Sequence, residues 1–229
     1  MDSLYDKKLF EEHAEWIDNH LSKFYADDEI FVFHEIMSLD FHLDVYFIKS
    51  EKHSFNILLT SGMSLMEMDL DQNIENKNDL KFAELILLLP KEIEFGEIHN
   101  GENENDWIIS MLKQTARFPH HYGTWLGIGH TIQATEELEP YDKNTEFVGS
   151  IILPSVTFDE DFTKIEMNGH EINFYSLFPL YKNELEYKVE VGYNKFLDLL
   201  IKSNSKEILD IKRPNLIPKK NLWKLFNKN

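Results

Sequence analysis

Thr115-Ala116-Arg117-Phe118-Pro119-His120-His121-Tyr122-Gly123-Thr124-Trp125-Leu126-Gly127-Ile128-Gly129-His130-Thr131 carries three histidines and three glycines through one change of backbone direction. Before it, Trp107, Ile108, Met111 and Leu112 recur at three- and four-residue spacing, which predicts a helix over Asp106 to Gln114. Pro119 cannot continue a helix, because it lacks an N–H and its ring clashes with the preceding turn, so an extended segment is expected from there. Gly127 and Gly129 flank Ile128 ahead of His130, a pattern suited to a strand that bends or lets another backbone approach. Trp125 and Gly127 are therefore expected on a buried strand, Trp125 to Gln133, abutting the helix.

Outward from this passage, Leu4, Phe10, Ala14, Ile17, Leu21 and Phe24 form one apolar stripe, predicting an amphipathic helix over residues 4–25. Ile30 to Met37 and Phe41 to Ile48 read as strands joined by a turn at Ser38-Leu39-Asp40, since Phe41, Leu43, Val45 and Phe47 alternate with His42, Asp44 and Tyr46. Further strands are predicted at Phe55 to Thr60, Leu65 to Leu70, Glu84 to Leu89, Phe147 to Leu153 and Ile172 to Phe178, and a closing helix from Asn183 to Lys202. Strands in runs between widely spaced helices predict an α+β (mixed α/β) fold: a central, mostly antiparallel or mixed sheet flanked by helices, in a single domain over 1–211. Pro214, Pro218 and six basic residues set 212–229 apart as a basic C-terminal tail that ends in the amphipathic Leu222-Trp223-Lys224-Leu225-Phe226.

Charge is uneven. Residues 1–110 hold 25 acids against 8 bases, residues 111–210 hold 16 against 9, and residues 211–229 hold 6 bases and no acid. Arg117 and Arg213 are the only arginines, too few guanidinium groups for a surface that grips phosphates. Direct nucleic-acid binding is not expected. A field of this sign speeds encounter with a basic partner, although it also serves solubility. Glu92, Glu94, Glu97, Glu102, Glu104 and Asp106 concentrate it in one polar loop, the candidate partner-binding segment. The longest apolar run, Leu85 to Leu89, is far shorter than the roughly 20 residues of a membrane span, and the charged N-terminus is unlike a signal peptide. These features place the chain in the cytoplasm. With no cysteine, disulfides, thiolate metal sites and cysteine nucleophiles are excluded.

His120, His121 and His130 are the conventional catalytic or ligand candidates. Neither a metalloprotease-type histidine spacing nor a neighbouring carboxylate pair completes a site around them, so no catalytic residue, metal or cofactor is assigned and a structural role is expected. The glycines after Tyr122 match neither a phosphate-binding loop nor a dinucleotide fingerprint.

Ala116-Arg117-Phe118-Pro119-His120, Tyr122-Gly123-Thr124-Trp125-Leu126 and Gly129-His130-Thr131 together resemble the core motif of the suppressor-of-fused domain family in its bacterial form. Phe82 to Pro90 is similar to the family's apolar strand ending in Leu-Pro, Trp107 to the tryptophan opening its next helix, and Ile172 to Glu186 to its later strand, Pro-Leu-Tyr and Glu-rich helix. The match runs through most of residues 25–202. The resemblance implies a protein-binding module without catalytic activity. Animal members hold a transcription-factor peptide as an added strand between two domains; this chain has length for one such domain, so those peptide contacts are not carried over. Bacterial relatives look like immunity proteins. The reading that follows is an immunity protein or antitoxin that blocks a cognate toxin, a basic nuclease being one such toxin. Its alternatives are a peptide-binding adaptor working by β-augmentation and a hydrolase using the histidine cluster.

Overall fold

The computed structural model describes residues 7–35, 41–96, 103–167 and 169–217. Helix α1 (Lys7–Tyr25) leads into a meander of β1 (Glu29–Phe33), β2 (Asp44–Lys49), β3 (Phe55–Ser61) and β4 (Phe82–Pro90). Helix α2 (Asp106–Tyr122), β5 (Thr131–Gln133), β6 (Phe147–Leu153), α3 (Glu160–Thr163), β7 (Lys164–Met167), β8 (His170–Tyr181), α4 (Lys182–Val191) and α5 (Tyr193–Lys202) follow. The strands form one mixed sheet ordered β1-β2-β3-β4-β8-β6-β5, with β7 also paired to β8. Every pairing is antiparallel except β4 with β8. A mixed sheet with helices against it is the architecture expected from the sequence.

The two-residue period of the strands sorts their side chains onto two faces. Ala83, Leu85, Leu87 and Leu89 of β4 join Val45, Phe47 and Leu58 in a cluster with Trp107, Ile108, Met111 and Leu112 of α2. Ile86 and Leu88 instead join Tyr46, Ile48, Ile57 and Leu59 around Ile17, Leu21 and Tyr25 of α1. Being covered on both faces, β4 reads as a continuous apolar run rather than an alternating one. A third cluster packs Val148, Ile151, Phe178 and Leu180 against Leu185, Phe196 and Leu200 of α4 and α5.

Several elements differ from the sequence reading. Helix α2 does not stop before Pro119 but carries it in its last turn and ends at Tyr122. Near a helix end the proline forfeits only one ladder bond, to the Thr115 carbonyl, while its own carbonyl accepts the N–H of Thr124 at 2.9 Å. The strand expected over Trp125 to Gln133 shrinks to Thr131–Gln133, because a turn closes between Gly127 and His130 with Gly129 at φ 88°, a left-handed conformation that glycine takes without steric cost. Trp125 is consequently half-buried in irregular chain rather than on a strand. Leu65 to Leu70 is not a strand: Met63–Leu65 form a short 3-10 turn and the chain beyond it is irregular. The single helix expected from Asn183 to Lys202 is two, broken at Gly192 by φ 83°. β1 ends at Phe33 and β2 begins at Asp44, later than the predicted Phe41. The turn at Ser38-Leu39-Asp40 lies outside the described residues, as does residue 218 onward.

The segment after α5 returns to the domain. Arg213 forms a two-pronged ion pair with Glu184, whose side chain is fully buried, and its Nη2 also donates to the Pro179 carbonyl at 2.8 Å. The guanidinium lies 4.8 to 5.1 Å from the ring centres of Tyr181, Phe178 and Phe147. Glu184 accepts the backbone N–H groups of Tyr181 and Leu216, and Asn183 donates to the Ile217 carbonyl at 2.9 Å. Residues 213–217 are thereby fastened to the start of α4. Arg213→Ala, which strands a buried carboxylate, is expected to lower stability by about 3–5 kcal/mol in urea denaturation. Adding Glu184→Gln to that variant should restore part of the loss, since the uncompensated charge is then gone.

Candidate functional site

The signature segment is a junction where α2, the 62–69 segment and β6 meet. His120, in the last turn of α2, donates from Nε2 to the Met63 carbonyl at 2.7 Å, and its ring meets Phe41 edge to face. Burial holds its pKa below the ordinary histidine value, the carbonyl bond opposing part of that shift. His130 donates from Nδ1 to the Trp125 carbonyl at 3.2 Å and stands edge-on to the indole, its pKa likewise lowered by burial. His121 is exposed beside Tyr122. Arg117 ion-pairs with Glu35 and donates to the Phe41 carbonyl at 3.3 Å. Thr124 accepts the N–H of Asp69 at 3.0 Å, and Gly129 and His130 exchange backbone bonds with Ile152. Among the described residues, no group of three potential metal ligands includes His120, His121 or His130. The three serve separate partners, which is why their nearness in sequence produces no shared site.

The candidate acidic loop divides. Glu92, Glu94 and Glu104 are exposed, with Glu94 3.4 Å from Lys49. Asp106 is 3% exposed and opens α2, so it is no part of a solvated surface. Its place at a helix N-terminus explains the acid there, because the unpaired N–H groups of the first turn favour negative charge. Glu97 and Glu102 lie outside the described residues. Glu92 and Glu104 line a cleft of about 960 Å³ that runs between the end of β4 and residues 203–216, with Lys91, Lys206, Asp210, Lys212 and Arg213 also in its lining. β1 is an edge strand of the sheet, and Phe31 on it is 41% exposed under the Lys49 ammonium, 5.0 Å from the ring centre, so it neighbours Glu94 across that lysine.

A buried polar cluster was not legible in the sequence. The Glu84 carboxylate, with no solvent exposure, accepts the Thr60 hydroxyl at 2.6 Å, the N–H groups of Gly62 and Ser64 at 3.0 Å each, and the Ser64 hydroxyl at 2.7 Å. His13 of α1 donates from Nε2 to the Ser64 oxygen at 2.7 Å, with Ser61 facing Nδ1 at 3.5 Å. Burial raises the Glu84 pKa and lowers that of His13 to about 4. The one available signal was an acid interrupting an apolar strand, and a partner 71 residues away cannot be read from spacing.

The suppressor of fused protein model matches residues 40–214, which includes the whole signature segment and the Glu184–Arg213 clamp. The chain belongs to the suppressor of fused family. Its fold is similar to that of a suppressor of fused homologue from Neisseria gonorrhoeae, with a TM-score of 0.64 at 14% identity over 90% of this chain and 98% of that one. It is also similar to a chain of the Sufu-Fu complex, with a TM-score of 0.60 at 13% identity over 90% and 92% of the two chains. Drosophila Suppressor of Fused matches with a TM-score of 0.53 at 13% identity over 93% of this chain, which spans 54% of the Drosophila chain. No curated protein matches the sequence.

The His13–Glu84 cluster gives this suppressor of fused domain a signed pH response. A histidine whose folded pKa lies below its unfolded value of 6.5 must be charged on unfolding in acid, so its contribution is present above that value and is lost as pH falls toward about 4. Glu84, raised by burial, acts with the opposite sign: its charged form is disfavoured in the fold, and acidification relieves that cost. Comparing urea denaturation of the wild type with His13→Gln isolates the histidine. The wild type's stability relative to the variant should drop by about 3 kcal/mol between pH 7 and pH 4.

Proposed function

We propose that this chain is a non-catalytic protein-binding domain that neutralises a cognate bacterial toxin by direct contact, as an immunity protein or antitoxin. Family membership supports protein binding as the activity, since a solved chain of similar fold comes from the Sufu-Fu complex. The observation that favours a basic partner is the exposed acidic group Glu92, Glu94 and Glu104 beside an open cleft, in a chain of net charge −18. Complementary charge raises association rate and suppresses wrong partners more than it deepens the finished contact. A basic nuclease toxin fits, because an acidic surface competes with nucleic acid for the same cleft. The same charge supports a partner other than nucleic acid. No helix among the described residues is long and apolar enough to cross a membrane, in keeping with a proposed cytoplasmic setting.

A second reading, an adaptor that takes a peptide by β-augmentation, rests on β1: it ends the sheet and presents exposed Phe31. No comparable observation favours a histidine-dependent hydrolase, since His120 and His130 are bonded to separate carbonyl groups and His121 is exposed beside Tyr122.

Replacing Glu92, Glu94, Glu97, Glu102 and Glu104 with Gln, and sparing buried Asp106, should slow association with the cognate toxin by roughly tenfold at low ionic strength. The two proteins should converge as salt is added, with unchanged thermal melts. Stopped-flow association across a salt series is the measurement. Equal rates throughout would reduce the acidic rim to a solubility feature, and loss of binding in Phe31→Lys alone would favour the sheet edge.

A further inference from the structure

Asp44 opens β2 with its side chain only 4% exposed, and two imidazoles reach it from either side of the β1–β2 connection. His34 donates from Nδ1 to Oδ2 at 2.8 Å, and His42 Nε2 stands 2.9 Å from Oδ1, which also accepts the N–H of Glu35 at 2.9 Å. One ligand atom from each of the three residues lies within 4.8 Å of the other two. Two imidazole nitrogens and a carboxylate oxygen are the donor set of a borderline transition metal, with zinc the best match. We propose that His34, His42 and Asp44 form a divalent metal site suited to zinc, which ties the end of β1 to the start of β2 and keeps one position open to solvent.

The site is half preformed. Asp44 and His42 are held in place, the latter by the Phe10 ring, whose centre is 4.2 Å from that of the imidazole at a steep angle. His34, with its side chain 73% exposed, is held on this side by its bond to Asp44 alone and has room to turn. On a tetrahedral zinc with bonds of about 2.0–2.2 Å, ligand atoms sit about 3.3 Å apart, so small rotations, chiefly of His34, bring the trio to bonding geometry. The metal takes the place of the protons now shared between imidazoles and carboxylate. Nearby cations weigh against it: Lys113 and Arg117 on α2 both act on this corner. Arg117 is already paired with Glu35, which leaves Lys113 as the cation that zinc must displace from the field of Asp44. This site is separate from the signature histidines and does not depend on the toxin-binding reading.

Untagged protein, stripped with a chelator and titrated with zinc chloride by calorimetry, should take up one equivalent and melt at a higher temperature with zinc than without. His34→Ala removes an exposed side chain and one of the hydrogen bonds to Asp44, which keeps the Glu35 N–H; it should stay folded, as thermal melts without zinc would show, while weakening zinc binding at least about tenfold, since even supporting residues around a metal contribute that much. His170→Ala, a change at an exposed histidine on another strand, should bind as the wild type does. Failure of folded wild-type protein to take up zinc, or undiminished affinity in His34→Ala, overturns the proposal.

Discussion

Glu84 stands in a strand that has helices on both faces and no route to water, and that constraint organises the first half of the domain. A charged or even neutral carboxyl in such a place must have every lone pair or proton met from within. The chain meets it by leaving the ladder at the end of β3. Gly62 and Ser64 turn their N–H groups onto the carboxylate, and Thr60 and Ser64 add hydroxyls. The departure from strand geometry after Ser61 is therefore the condition under which β4 can hold an acid, and His13 carries the network on to α1.

The same carbonyl-rich turn is where the family signature is anchored. His120 donates to Met63, one residue from the Glu84 ligands Gly62 and Ser64, so the end of α2 and the carboxylate cluster hold one turn between them. Arg117, one helical turn earlier, ties α2 to Glu35 and Phe41 beside the β1–β2 connection. In the first turn of α4, Glu184 repeats the solution with a different partner. Two buried glutamates thus anchor separate parts of the domain, one through hydroxyl and amide donors and the other through a guanidinium.

Packing also decides what is left for recognition. With His120 and His130 committed to carbonyl groups inside the domain, the contacts proposed above fall at the rims: the acids beside the 92–104 cleft and the aromatic edge at Phe31. Asp106 shows how close these environments lie, for it follows exposed Glu104 by two residues yet is buried in the first turn of α2.

The amino-acid sequence by itself determined the fold class, the family and most strand positions, because apolar period and turn residues act locally: Phe147 to Leu153 is a strand at the very bounds its pattern indicates. Local rules misplaced α2 at Pro119, since a proline's effect depends on how near the helix end lies, and they joined α4 to α5 across Gly192. They could not pair β4 with β8, Glu84 with His13, Glu184 with Arg213, or His34 with His42 and Asp44. Those pairings are made by burial, which strips water from a polar group and obliges it to find a partner wherever the tertiary fold has placed one.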